Sequence, residues 1–295
     1  MSVTVKWKDN NYFETGHKIY KSSAYFTKDN LPSVLADLGP NVTEYVDSAG
    51  VSGENWYMVS ALLNGYEVFS DPLIARNFNF GIGSDTFVGG DLTAGFLGEV
   101  ASVDFITGDS LASSIGLTAG TSQNSDVPWW KFAIDNEILY VPTKNFRYWI
   151  SWDNINAVNA VYDDVNTPVV TIGGYDFRVT LMTGAEADPT VNEDGIGSEW
   201  NRLIYRVHSD VPDGTGVNTG SSGGAQVGDN WASYNTDNTN ISNGNGTFIW
   251  CQETKSSNKS NRVVRGLTSL SGFYTSSSSY ANTEMGWRPV LRLIQ

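Results

Sequence analysis

The sequence predicts a β-rich protein of two domains, a β-sandwich followed by an α+β domain. Three observations carry that reading. Residues 1–76 hold short alternating apolar runs separated by turn residues, the pattern of an antiparallel sandwich. Two pairs of such runs meet across Asn64-Gly65 and Gly173-Gly174, dipeptides suited to the positive φ of tight hairpin turns. Further on, Trp152, Ile155, Val158 and Tyr162 recur at helical spacing, so helix joins strand in the second half. A length of 295 residues suits about two domains, and 40% hydrophobic residues are enough to give each a core. The expected boundaries are a sandwich over 1–76, a connector packed on the second domain over 77–128, and a second domain over 129–295.

The first strand is Val3-Thr4-Val5-Lys6-Trp7, which alternates with period two. His17 to Ser22 makes a second strand, on which His17 is expected to face solvent. Strands over 35–38, 44–46, 56–63 and 66–69 follow. Pro72 marks the sandwich exit. Residues 77–90 are rich in Gly and Phe and have no clear period. Short helices are expected over 101–105 and 109–115, the second capped by Asp109 or Ser110 and ended by Gly116. Residues 131–134 and 138–141 form a hairpin across Asp135-Asn136-Glu137. Ser151 caps a helix running to about Tyr162, with Asp153 placed to suit its dipole. A second hairpin joins 169–172 to 175–181, and Ser198 caps a helix carrying Trp200, Leu203 and Ile204. Residues 209–245 read as a long polar loop, pinned by Trp231 and Tyr234. At the C-terminal end, Asn261 to Gly266 and Gly286 to Ile294 read as core strands. Between them, 267–285 is mostly Ser, Thr, Tyr, Asn and Gly, and is expected to be a surface loop clamped by the two paired strands.

Two resemblances follow from these residues. Trp7 and the runs Gly16-His17-Lys18-Ile19-Tyr20-Lys21-Ser22, Thr43-Glu44-Tyr45-Val46-Asp47 and Glu54-Asn55-Trp56-Tyr57-Met58-Val59-Ser60-Ala61 resemble strands B, C, E and F of a fibronectin type III domain, without its first strand. That family implies a spacer or docking module. Arg265-Gly266 followed by Gly286-Trp287-Arg288 is similar to the closing motif of C-type-lectin-like folds of the formylglycine-generating-enzyme type. Leu267 stands where the common version has a second Gly. With Gly197 to Tyr205 and Phe248-Ile249-Trp250, this half of the chain resembles the C-terminal domain of many tailed-bacteriophage virion proteins. The resemblance implies a virion protein in a fibre, tail appendage or capsid decoration, made in the host cytoplasm and oligomeric in the particle. Its partners would be other virion proteins or a host cell-surface glycan or protein. Arg265, Gly266, Gly286, Trp287 and Arg288 would be its structural motif.

Composition narrows the function further. Eighteen basic against 32 acidic residues give a formal charge of −14, which disfavours nucleic acid and anionic lipid as partners. No apolar run approaches the length of a membrane helix, and Met1 to Val5 does not open like a signal peptide. Cys251 is the only cysteine, so neither an intrachain disulfide nor the two-cysteine chemistry of the oxidases sharing the C-terminal motif is expected. Beside Phe248, Ile249 and Trp250 it reads as a buried small hydrophobe.

No catalytic residue, cofactor or metal is expected. His208, followed by Ser209 and Asp210, is a sequence neighbour of those groups, not a converging triad. The turn from Asp188 to Gly195 has oxygen ligands but not the spacing of a calcium loop. An alternative reading is a polysaccharide depolymerase using paired carboxylates, with Glu199, Asp210, Glu253 and Glu284 as candidates. The best-supported site is a binding surface on 267–285, where Phe273, Tyr274, Ser277, Tyr280 and Asn282 combine rigid aromatic area with adaptable polar groups. Arg262, Arg265, Arg288 and Arg292 read as structural arginines, each expected to have a partner.

Overall fold

The computed structural model describes residues 3–8, 13–49, 54–76, 78–190, 197–205, 244–267 and 269–295. It is β-rich and divides into two compact units, Met1–Asn79 and Phe80–Gln295.

The first unit contains β1 (Val3–Lys6), β2 (Gly16–Ser22), β3 (Val34–Leu38), β4 (Glu44–Asp47), β5 (Glu54–Leu63), β6 (Tyr66–Phe69) and β7 (Leu73–Arg76). β1 and β4 form a two-stranded antiparallel ladder. The other sheet runs β3-β2-β5-β6, with β7 continuing along β5 beyond the break at Asp71-Pro72. The β5–β6 hairpin turns at Asn64 and Gly65, both at positive φ (49° and 83°), as the dipeptide predicts. Val5, Ile19, Tyr57 and Val59 meet between the sheets. His17 is buried there against Trp7, with ring centroids 5.3 Å apart, and not exposed as expected. Its place on β2 points inward, and the apolar body of the ring packs as a core group.

The second unit contains β8 (Gly89–Gly90), β9 (Ala94–Val100), α1 (Gly108–Ser114), β10 (Thr121–Ser122), β11 (Trp129–Ile134), β12 (Glu137–Pro142), β13 (Arg147–Tyr148) and α2 (Trp152–Asn156). It continues with β14 (Val169–Ile172), β15 (Tyr175–Leu181), a wide helical turn over Trp200–Tyr205, β16 (Phe248–Thr254), β17 (Asn261–Gly266), β18 (Phe273–Ser277), β19 (Met285–Trp287) and β20 (Pro289–Leu293). A seven-stranded antiparallel sheet runs β14-β15-β20-β12-β11-β9-β8, and a six-stranded sheet runs β10-β13-β19-β16-β17-β18. Among the described residues, only β16 and β19 pair in parallel.

The large sheet is covered on both faces. Trp130, Phe132 and Ile134 of β11 join the main core with Leu139, Trp200, Leu203, Ile249 and Val290. The alternate residues Trp129, Lys131 and Ala133 are equally buried. On their side Phe105 stacks on Tyr140 at 4.5 Å and meets Trp129 and Phe177 edge-on. Residues 80–106 supply this cover, and β9 within them is an interior strand of the sheet. They are therefore part of the second unit and not a connector packed on it.

Three local readings are refined. α1 is capped by Thr107, whose Oγ1 accepts from the Ser110 amide at 3.2 Å, in place of Asp109 or Ser110. Gly116, at φ 72°, follows its end as expected. α2 has the expected Ser151 cap, closed reciprocally by Asn154, but stops at Asn156. Asn159 at φ 58° turns the chain away before Tyr162. The 169–181 hairpin turns at Gly173 and Gly174, both left-handed.

Candidate functional site

The C-terminal end is built differently from the expected clamp. β17 lies in the six-stranded sheet and β20 in the seven-stranded one, so these two strands are not paired with each other. Residues 267–285 are not one displayed loop either, because β18 within them pairs with β17. The register sets Arg265 opposite Phe273 and Val264 opposite Tyr274. Strand alternation then sends Phe273 inward and Tyr274 outward.

Phe273 is 2% exposed and packs with Ala185, Cys251 and Val263, with the Arg265 guanidinium 5.2 Å from its ring centre. It is a core residue and cannot meet a ligand from solvent, contrary to expectation. Tyr274 is 39% exposed and stands edge-on to Phe248, ring centroids 5.3 Å apart. Phe248 lies opposite Gly266 in the β16–β17 register. Ser277 and Tyr280 are exposed. The Asn282 amide group is used within its own turn: Oδ1 accepts from the Glu284 and Met285 amides at 2.9 and 3.1 Å, and Nδ2 donates to Tyr280 Oη at 3.1 Å. It thereby positions Tyr280, which is 49% exposed. Ser278 fixes this segment to the body, its carbonyl accepting from the Asp153 amide at 3.0 Å and its amide donating to Ser260 O at 2.8 Å. Tyr274 on β18 and Tyr280 in the turn after it are thus solvent-facing, while Ser277, three residues on from Tyr274, is exposed on the opposite face of the strand.

Trp149 is a further exposed aromatic, 56% exposed and at φ 55°. Sequence reading missed it because it sits between Tyr148 and the fully buried Ile150 in what reads as continuous apolar chain. A large side chain held in the left-handed region costs about 1 kcal/mol.

The arginines hold this end together, each with a partner. Arg288 lies at the step between β19 of one sheet and β20 of the other. Its Nε donates to Pro142 O at 2.8 Å and its Nη2 to Thr143 O at 2.7 Å, at the step from β12 to β13 between the same two sheets. One guanidinium therefore ties two crossings together, 5.2 Å from the Trp130 ring centre. Arg265 is fully buried and donates to Gly272 O, Gly184 O and Asn201 Oδ1. Arg292 reaches Thr180 Oγ1, Glu137 and Glu199. Arg262 donates to Lys259 O and Asn261 O and lies 4.2 Å over Trp152. Gly286 admits no side chain, since a Cβ there would stand 2.3 Å from Gly246 O. Trp287 is fully buried, and its carbonyl accepts from the Phe146 amide at 2.9 Å. Leu267 does turn where the family motif carries glycine, at φ 60°.

Glu199 and Glu253 lie in one interior region, against the consecutive amides of Thr183 and Gly184. Glu199 Oε2 accepts from Thr183 N at 2.8 Å, and its other oxygen is held by Arg292. Glu253 Oε2 accepts from Gly184 N at 3.0 Å. Burial pushes the Glu253 carboxyl up to about 8, and Glu199 adds to the rise. Both groups are engaged and enclosed, unlike a pair flanking a sugar in a cleft. Glu284 lies on the surface beside Asn282. Cys251 is wholly buried and its thiol is pushed well up by the same desolvation, as fits a packing residue. Asp188 Oδ1 accepts from Thr254 N at 2.9 Å. His208, Asp210, the rest of the 209–243 stretch and positions 191–195 of the proposed calcium turn lie outside the described residues.

Among the described residues no cluster of three or more His, Cys, Asp or Glu is placed to hold a metal, and no helix is long and apolar enough to cross a membrane. Compared with known proteins, the chain matches no family model, no curated protein and no solved structure.

Proposed function

We propose that this chain is a non-enzymatic structural protein of a tailed-bacteriophage virion, in a fibre, tail appendage or capsid decoration. Its second unit presents a binding surface to a host-surface glycan or protein, or to another virion protein. The observation that carries the reading is the pair of exposed tyrosines, Tyr274 on the edge strand β18 and Tyr280 in the turn after it, with Arg265 and Phe273 buried on the other face of that strand. Rigid aromatic faces flanked by small hydroxyls suit recognition with little entropy cost. Arg265 to Gly266 and Gly286 to Arg288 act as scaffold, which supports a C-type-lectin-like reading of this unit. In the first unit, β1 with β4 and β2 with β5 reproduce the B–E and C–F pairings of an immunoglobulin-like sandwich. That order supports the fibronectin type III-like docking module. Glu199 and Glu253 serve the interior, so the depolymerase alternative gains no cleft from them.

The test is binding of the purified full chain to immobilised host-surface polysaccharide and to dissociated virion proteins. Tyr274→Ala with Tyr280→Ala should weaken one of these interactions about tenfold or more while leaving the melting temperature unchanged. Unaltered binding by the double variant would remove the tyrosine pair from consideration, and release of new reducing ends would overturn the non-enzymatic reading.

A further inference from the structure

Among the described residues, the first unit has one open side. Between the end of β1 and the end of β6 runs a groove of about 200 Å³, flanked by Trp7, Lys8, Val68 and Phe69 and floored by His17 and Val59. Among the described residues, the backbone on one side of β1 has no strand partner. Trp7 N donates to Thr43 O at 3.1 Å, and Val5 and Val3 stand opposite Tyr45 and Asp47. Amides of an antiparallel strand alternate sides, so Thr4, Lys6 and Lys8 turn their N–H and C=O groups away from β4. Among the described residues no strand meets them, and β1 with β4 remains a two-stranded ladder. Such a ladder is marginal alone, and a free edge is a template for another strand. The indole Nε1 of Trp7 is buried and lacks a hydrogen-bond acceptor among the described residues.

We propose that this groove is a docking site for an extended segment of another polypeptide, which adds as a strand to the free edge of β1. The segment would alternate apolar and acidic side chains. Its apolar side chains would face Trp7 and Val68, where Val68 is now 69% exposed. Its outward side chains would lie beside Thr4, Lys6 and Lys8; Lys6 is paired with Glu44 across the ladder at 3.2 Å, so Lys8 is the cation that an acidic side chain would meet. Opposite charges across a ladder stabilise it and like charges oppose it. Strand addition of this kind takes affinity from main-chain bonds and specificity from alternate side chains. A second copy of the chain fits less well. Pairing two β1 edges joins only four residues a side, leaves the groove floor uncovered, and falls well short of the ~1,200 Å² of a stable interface.

The test uses the full chain and a fluorescein-labelled peptide of alternating Glu and Val. We expect saturable binding, with slowed amide hydrogen exchange at Thr4, Lys6 and Lys8. An alternating Lys and Val peptide should bind about tenfold more weakly or not at all, and replacing Val by Pro in the acidic peptide should abolish binding. The solvent-facing Lys8→Glu, which leaves the Lys6–Glu44 ion pair in place, should abolish the preference for the acidic peptide over the basic one. Failure of the acidic peptide to bind overturns the proposal. So does binding without protection at those three amides, or protection that tracks protein concentration and signals self-association. None of these outcomes bears on Tyr274 and Tyr280, which lie in the other unit.

Discussion

At the scale of single residues, Glu253 has the most consequential environment. Burial raises its carboxyl from 4.5 to about 8, Glu199 adds repulsion, and the amides of Gly184 and Ala185 offset part of the rise. The charges facing it come from Glu199 and from Arg265, with Cys251 on the same strand. An acid with a folded pKa above its unfolded value favours the fold while protonated. That contribution is complete below 4.5 and is lost as the pH climbs to about 8. Glu253→Gln keeps an acceptor for Gly184 and removes the titration. Relative to the wild type, the variant should therefore gain on the order of 3 kcal/mol between pH 5 and pH 8, measured by urea unfolding at both. An unchanged difference at the two pH values would show that the carboxyl titrates normally in the fold. This environment was not legible in the sequence. A charged residue on an alternating strand reads as outward-facing, and only the tertiary cover reveals otherwise. Lys131 misleads in the same way: fully buried, with a pKa lowered to about 8 by burial, it donates to Ser84 O at 2.6 Å.

At the scale of elements, the strongest constraint is the joint where two chain segments cross between sheets. Gly286 sits in that joint, pairing with Tyr148 on one side and Ile249 on the other. Gly286→Ala would drive a methyl group against Gly246 O and the Asn145 amide. Backbone cannot yield there without parting β13, β19 and β16. We expect a loss of about 3 kcal/mol or more, read as a fall in melting temperature or failure to accumulate soluble protein. A variant as stable as the parent would mean that the joint is slack. Local signals were enough to find the hairpins at Asn64-Gly65 and Gly173-Gly174, because the turn residues alone determine them. They were not enough for β9. Gly95 and Gly98 interrupt its apolar pattern, yet a Cβ at Gly95 would stand 2.4 Å from Asp91 O, and Gly98 turns at φ 101° beside Leu97, the extra residue of β9 opposite Lys131 and Phe132. β18 was hidden by its polar outward face. The arginine motif was legible as scaffold, but which sheet each flanking strand joins depends on contacts far along the chain.

At the scale of the whole molecule, each unit has a core of its own. Val5, Ile19, Tyr57 and Val59 close the first, while Trp130, Phe132, Trp200 and Ile249 anchor the much larger second. A unit of under 80 residues buries a small share of its surface and is marginal by size alone. This one also leaves Tyr66, Val68 and Leu73 largely exposed and, among the described residues, one side of its sandwich open. Its stability should fall below that of its neighbour, so heating should give two transitions, the lower one belonging to residues 1–79. Expression of residues 80–295 alone should delete the lower transition and retain the upper one, together with the near-ultraviolet circular dichroism of the buried tryptophans. The acidic alternating peptide should raise the lower transition only, by mass action on the folded first unit. A single transition in the full chain, with 80–295 insoluble by itself, would mean that the two units fold as one and that the sequence boundary near residue 76 marks a change of sheet and not of domain.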